Sequence, residues 1–295
     1  MIEPFTAPFM ARALTELALL ALICGPISVF VFARRLSFVS DALTHTIFPG
    51  VVIGFLAGGL EGLFAGALVA GIVTAVVLTL LTRGGRVSDD AATAVVLTAM
   101  FSIGVAMVSR RSSYTSDLTS FLFGRLLTVS PRQIAETAAL VVIVLIALVA
   151  GARALLFRTF DPGGAAAAGF RVGWLDLWLN ILVALVVVAA VRAVGTILVV
   201  ALLIVPAAAA RMVTDRLVVM AAVGTVLILG AGYGGLLLSW TASIHYGVSL
   251  TSASSVVLLL VAAYCLLIPV RLIRDRRRRT VTVPRQRSSV HELVG

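Results

Sequence analysis

Five polar side chains recur on one face of a short stretch in a chain that is otherwise strongly apolar: Ser37, Ser40, Asp41, Thr44 and His45. Their spacing is i, i+3, i+4, i+7 and i+8, so a helix carries them as one stripe. Leu36, Val39, Ala42, Leu43 and Ile47 fall on the other faces. Thr46 lies off the stripe, where a hydroxyl can bond the carbonyl one turn back. A carboxylate and an imidazole one turn apart, here Asp41 and His45, form a half-site for a divalent metal ion. The same two groups can instead bond each other and hold helices together. Spacing alone leaves both uses open.

The elements around the stripe set its depth. The apolar run from Ile47 to Leu60 is too short to cross a bilayer, which takes about 20 residues. The crossing segment therefore starts near Arg35 and includes the stripe. With Arg35 at the interface, a rise of about 1.5 Å per residue puts Asp41 about 9 Å deep and His45 about 15 Å deep. His45 then lies near the middle of a hydrocarbon core about 30 Å thick. Ionisable groups at that depth are costly unless they line a polar path or pair with each other.

Composition agrees with a membrane setting. Of 295 residues, 61% are hydrophobic and 12% charged, and the mean hydropathy is +1.14. A soluble domain is about half apolar and about a quarter charged. The expected fold class is an all-α polytopic membrane protein with eight or nine spans and no separate soluble domain. Residues 1–273 form one transmembrane domain, and 274–295 form a basic cytoplasmic tail without fixed structure. The first residues hold Glu3, two prolines and no basic run, unlike a cleaved signal peptide. Cys24 and Cys265 lie in apolar segments and read as packing residues. The net charge of +10 gathers in the run Arg271 to Arg279. That run reads as a cytoplasmic anchor touching anionic lipid, with no role for nucleic acid.

In chain order the expected spans are Leu14–Ala33, Leu36–Gly59, Glu61–Leu81, Ala91–Val108, Gln133–Leu156, Leu175–Val191, Gly195–Met212, Leu217–Leu238 and Thr251–Val270. Pro49 should kink the second. Gly50, Gly54, Gly58, Gly62 and Gly66 recur at every fourth position, a small-residue stripe that lets helices approach closely. Leu118 to Val129 is apolar but short, so it reads as re-entrant or interfacial. Ser239 to Ser249, with His245 and Tyr246, reads as a solvated loop. Between the fifth and sixth spans, Asp161 is a helix cap, Pro162 a first-turn proline, and Gly169 a stop. This is a short surface helix among arginines, either a plain connector or a docking element. The arginine distribution favours an outside N-terminus and an inside C-terminus, although Arg110, Arg111 and Arg192 fall outside.

No Gly-x-x-x-x-Gly-Lys-Ser/Thr loop, His-Glu-x-x-His or Gly-x-Ser-x-Gly is present. No nucleophile is assembled with a base, and no enzyme activity of the chain's own is expected.

The chain resembles the permease subunit of bacterial zinc/manganese/iron-type ABC importers. That family's Arg-Arg-x-Ser-Phe-x-Gly-Asp-Ala-x-Ser-His-x-x-x-Pro-Gly signature is matched from Arg34 to Gly50, with Ser40 and Thr44 as the departures. Asp117 to Gly124 matches Asp-Leu-x-Ser-x-Leu-Phe-Gly, and Phe160-Asp161-Pro162 with Gly169 matches Phe-Asp-Pro…Gly. Val194 to Arg211 matches the motif around Pro206. The resemblance implies a homodimer of permeases in the bacterial cytoplasmic membrane, two cytoplasmic ATPases and an extracellular solute-binding protein. It implies that Phe160, Asp161, Pro162 and Gly169 form the ATPase-coupling helix. Asp41 and His45 would handle the ion, with Ser37, Ser40 and Thr44 lining its path. Zn, Mn or Fe would be cargo, with no stably bound cofactor. Two rivals remain: a proton-coupled secondary metal carrier, which has no reason to keep the Phe160-Asp161-Pro162 helix, and a permease for metal chelates, which needs no metal ligands.

Overall fold

The computed structural model describes residues 3–83, 87–109, 124, 126–247 and 250–281. Its α-helices are α1 (Pro8–Ala33), α2 (Ser37–Thr46), α3 (Phe48–Thr82), α4 (Asp89–Val108), α5 (Pro131–Phe160), α6 (Pro162–Ala167), α7 (Val172–Val213), α8 (Leu217–Tyr246) and α9 (Ser252–Val281). Eight segments among the described residues are long and apolar enough to cross a bilayer. The all-helical membrane fold expected from composition is what the chain adopts.

The glycine stripe builds the first hairpin. Gly58 and Gly59 leave helical geometry, and α3 doubles back there. Gly54 then faces Gly62, and Gly50 faces Gly66, so closely that a Cβ at any of the four would meet the opposite backbone carbonyl. Only hydrogen side chains permit this approach.

α7 contains a second reversal. Straight, its 42 residues would reach about 63 Å, twice a hydrocarbon core. Near its start, Asp176 bonds Arg34 at the end of α1. Near its end, Ala207 and Ala210 pack with Val29, little more than one turn before that same end of α1. From Asp176 to Val194 the helix rises about 27 Å, and Thr196 to Pro206 covers about 15 Å. A turn at Gly195 therefore returns Pro206 to within about 12 Å of the Arg34 level. That is the depth of Gly25, and Pro206 and Gly25 both lie against Gly224. Gly195 is the residue of α7 outside helical geometry, at φ 78° and ψ 166°. Counting α7 twice, the described residues make nine crossings, and the two arms of α7 correspond to the sixth and seventh expected spans. That φ/ψ region is essentially closed to residues with a Cβ. Gly195→Val is therefore expected to destabilise the protein by about 1–3 kcal/mol, read as a lower melting midpoint in detergent.

α7 is the centre of the bundle. It is buried along most of its length and packs against α1, α2, α3, α5, α8 and α9. Polar bonds fasten α1, α3, α5 and α7 together at the end where α5 begins. The buried Glu16 accepts from Thr137 at 2.7 Å. Glu136 accepts from Arg192 at 2.6 Å and from Arg132 at 3.1 Å, and Arg132 also reaches Glu61 at 2.7 Å.

Two sequence expectations change. α8 continues to Tyr246 and stops at Gly247, which is left-handed at φ 62°. His245 thus sits in the last helical turn and not in a loop. The stop also sets the connection to α9, where Ser239 bonds the Leu250 carbonyl and shares a bond with Ser252. The arginine run after Pro269 continues α9 as helix to Val281. Most of the Leu118 to Val129 segment, and all of Asp117 to Phe123, lie outside the described residues. Its end, Leu126–Thr128, is a short 3-10 turn with Leu126 buried.

Candidate functional site

α1 and α2 meet at a tight turn. The amide of Leu36 donates to the Val31 carbonyl at 2.9 Å, and Arg35 takes φ 58°. Arg35 is the only described residue besides glycine with a positive φ. It occupies the left-handed position that closes a helix, where glycine is usual. α2 ends at Thr46, and Pro49 falls in the first turn of α3, where its missing N–H is not needed. The expected kink is thus a break at Ile47 between two helices.

The structure divides the polar stripe. Ser40 and Thr44 are fully buried and satisfy themselves, Ser40 on the Leu36 carbonyl at 3.0 Å and Thr44 on the Asp41 carbonyl at 2.7 Å. Thr46 does the same on Leu43. Asp41 and His45 stay open, with side chains 44% and 31% exposed. Ser37 is half-buried on the same line. His45 Nε2 lies 4.0 Å from Asp41 Oδ1, too far for a hydrogen bond. The two groups therefore do not satisfy each other, and both keep lone pairs free for another partner.

The imidazole is steered from α4 and α3. The ring of Phe101 meets His45 edge to face at 6.0 Å, and Phe48 backs Phe101 at 5.8 Å. Gly104 leaves no room for a Cβ beside Phe48. Sequence reading missed Phe48 and Phe101, because nothing in the spacing joins α4 to the stripe. Among the described residues no group of three or more His, Cys, Asp and Glu side chains comes together. One chain thus offers two ligands, fewer than a closed metal site uses.

The short surface helix forms as read. Asp161 accepts from the Gly164 amide at 2.7 Å, Pro162 opens α6, and Gly169 at φ 86° closes it with the Phe170 amide bonded to the Ala165 carbonyl. Phe160 is 65% exposed beside it. The helices flanking α6 are tied to α1. Arg34 donates to Asp176 on α7 at 2.7 Å and to Thr159 on α5 at 2.9 Å, and Arg158 on α5 donates to Asp176 at 3.0 Å. Burial draws the Arg34 pKa below its ordinary value, and the Asp176 carboxylate opposes that fall.

Nine crossings among the described residues, an open carboxylate–imidazole pair inside one of them and a capped surface helix at one end define a membrane permease. The chain belongs to the ABC 3 transport family, whose profile matches residues 6–266. It is 36% identical over 255 residues to the "Manganese transport system membrane protein MntC" of Halalkalibacterium halodurans, covering 86% of this chain and 84% of that one. It is 32% identical over 238 residues to the "Chelated iron transport system membrane protein YfeD" of Yersinia pestis, covering 81% and 79%. Among solved structures it is similar to "PsaBC from Streptococcus pneumoniae in complex with Fab", with a TM-score of 0.79, 26% identity, and coverage of 94% and 98%. The chain is a multi-pass transport subunit of the cytoplasmic membrane and not an enzyme; ATP hydrolysis belongs to a separate component.

Proposed function

We propose that this chain is the permease of an importer for a divalent transition metal, with Mn²⁺ the first candidate and Fe²⁺ the second. The observation that carries this reading is the Asp41–His45 pair, 4.0 Å apart and partly exposed on one flank of α2. Oxygen and nitrogen donors suit Mn²⁺, Fe²⁺ and Zn²⁺. The relatives named for manganese and for chelated iron favour the first two. A second copy facing the same flank would add its own Asp41 and His45 and supply four ligands. A homodimer is therefore the assembly the half-site asks for. Ser37, beside the pair, lines the path, while Ser40 and Thr44 act from behind it by fixing α2.

The Arg34 end of the bundle also carries Arg35, Arg83, Arg153, Arg158, Arg171, Arg211 and Arg216. We place it in the cytoplasm, against anionic lipid. α6, with Phe160, Asp161, Pro162 and Gly169, then meets the ATPase, and an extracellular binding protein delivers metal to the opposite face.

The test is uptake of radiolabelled Mn²⁺ and Fe²⁺ into proteoliposomes holding the permease, its ATPase and its binding protein. ATP-dependent uptake of Mn²⁺ is the expected result. Uptake driven by a proton gradient without the ATPase would establish a secondary carrier instead.

A further inference from the structure

The Arg34 end of α1 meets α5 and α7 beside α6, and one carboxylate joins the three. Asp176 accepts from Arg34 with one oxygen at 2.7 Å and from Arg158 with the other at 3.0 Å. Arg34 also donates to the Thr159 hydroxyl and to the Leu155 carbonyl, the latter at 3.4 Å. Thr159 and Arg158 are in the last turn of α5, and Asp176 is in the first turns of α7. α6 is the only element between these two helices. The ring of Phe157 at the end of α5 meets that of Phe170, just after α6, at 6.0 Å. The Asp176–Arg158 bond thus ties together the two helix ends between which α6 is strung.

Arg34 has only 10% of its side chain exposed, so its bonds are not exchanged freely with water. It is also the C-cap that follows α1, and α2 starts three residues later at Ser37. The joint between them is closed by the Leu36–Val31 bond and by Arg35 in its left-handed conformation. A helix end held this way passes on displacement instead of absorbing it. Asp41 follows one turn into α2 and His45 two turns in. At the opposite end, the Glu16–Thr137 and Glu136–Arg192 bonds fasten α1, α5 and α7 to one another again. These three helices are thus held at both ends, while α2 joins them covalently only through the Arg35 turn on that side.

We propose that Arg34 and Asp176 are positioning residues that carry movement of α6 to the metal-handling helix α2. This rests on the proposed function, in which α6 meets the ATPase and Asp41 and His45 handle the ion. Asp176 senses the α5–α6–α7 corner, Arg34 converts its displacement into a shift of the α1 end, and the Arg35 turn re-aims α2.

The deciding measurement is the amount of Mn²⁺ imported per ATP hydrolysed, in proteoliposomes of the whole complex. Asp176→Asn keeps the shape but removes the charge that two arginines share. It should leave ATP hydrolysis within about twofold of wild type and lower import per ATP at least about tenfold. Arg34→Lys keeps a charge near Asp176 but loses the fork to Thr159 and Leu155, and should give an intermediate loss. If Asp176→Asn does not assemble, Asp176→Glu decides: it keeps the ion pairs, moves the carboxylate by one methylene, and should lower import per ATP about threefold. Import per ATP equal to wild type in the assembled variants overturns the proposal, as does a parallel fall in import and hydrolysis. Wild type that imports no Mn²⁺ or Fe²⁺ would instead overturn the transport reading itself.

Discussion

Replacing His45 by alanine is expected to lower ATP-driven Mn²⁺ uptake by about 100-fold or more while the permease still folds. Loss of a supporting group around a metal costs about 10–100-fold, and a direct ligand should cost at least the upper value. Stability should be little affected. The His45 side chain is 31% exposed and its contact is an edge-on meeting with Phe101. The typical cost of a single substitution, about 1 kcal/mol, leaves most of the stability in place. Asp41→Asn should behave alike, since it keeps volume and removes only the charge. Size-exclusion profiles beside the uptake assay separate the two effects. Normal uptake by both variants would mean that the pair only packs, and that the ion passes elsewhere.

Gly66→Leu should have the opposite signature, with loss of the folded protein before any question of transport. A Cβ at Gly66 would meet the carbonyl of Gly50 on the facing arm. The neighbour is backbone and cannot rotate away, so the arms of α3 must part. Overpacking costs about 1–3 kcal/mol where side chains can yield, and more where they cannot. The parting would also release Phe48, which backs Phe101 behind the imidazole. Gly58→Ala is the matched control. It lies on the same four-residue repeat, but a Cβ there meets nothing within 4 Å. Its melting temperature should match wild type, whereas Gly66→Leu should give aggregated or undetectable protein by fluorescence-detected size exclusion. Equal behaviour of the two would show that the glycines are not packing against each other.

Much of this was legible in the chain. The four-residue glycine repeat announced the α3 hairpin, because small residues at that period have few other uses in a membrane helix. Asp161, Pro162 and Gly169 announced α6, because caps and stops act within one turn. The pair Asp41 and His45 was visible from depth and spacing. What was not legible depends on distant parts of the chain. Ser40 and Thr44 share the stripe with Asp41, yet neighbouring helices bury them, and helical period alone does not say which edge of a stripe stays open. Phe101 reaches His45 from another helix. Arg34 and Asp176 are 142 positions apart, and each reads as an ordinary interfacial charge until the fold brings them together. Gly195 could be read as a span boundary but not as a one-residue reversal, since that needs the left-handed angle to be seen.

That reversal has an effect beyond the single chain. By adding one crossing it makes the number among the described residues odd, and an odd number would put the start of α1 and the end of α9 on opposite faces of the membrane. Two copies cannot then be joined end to end by a short linker. A gene duplication fused in frame would need an extra hydrophobic segment to bring the second copy in the right way up.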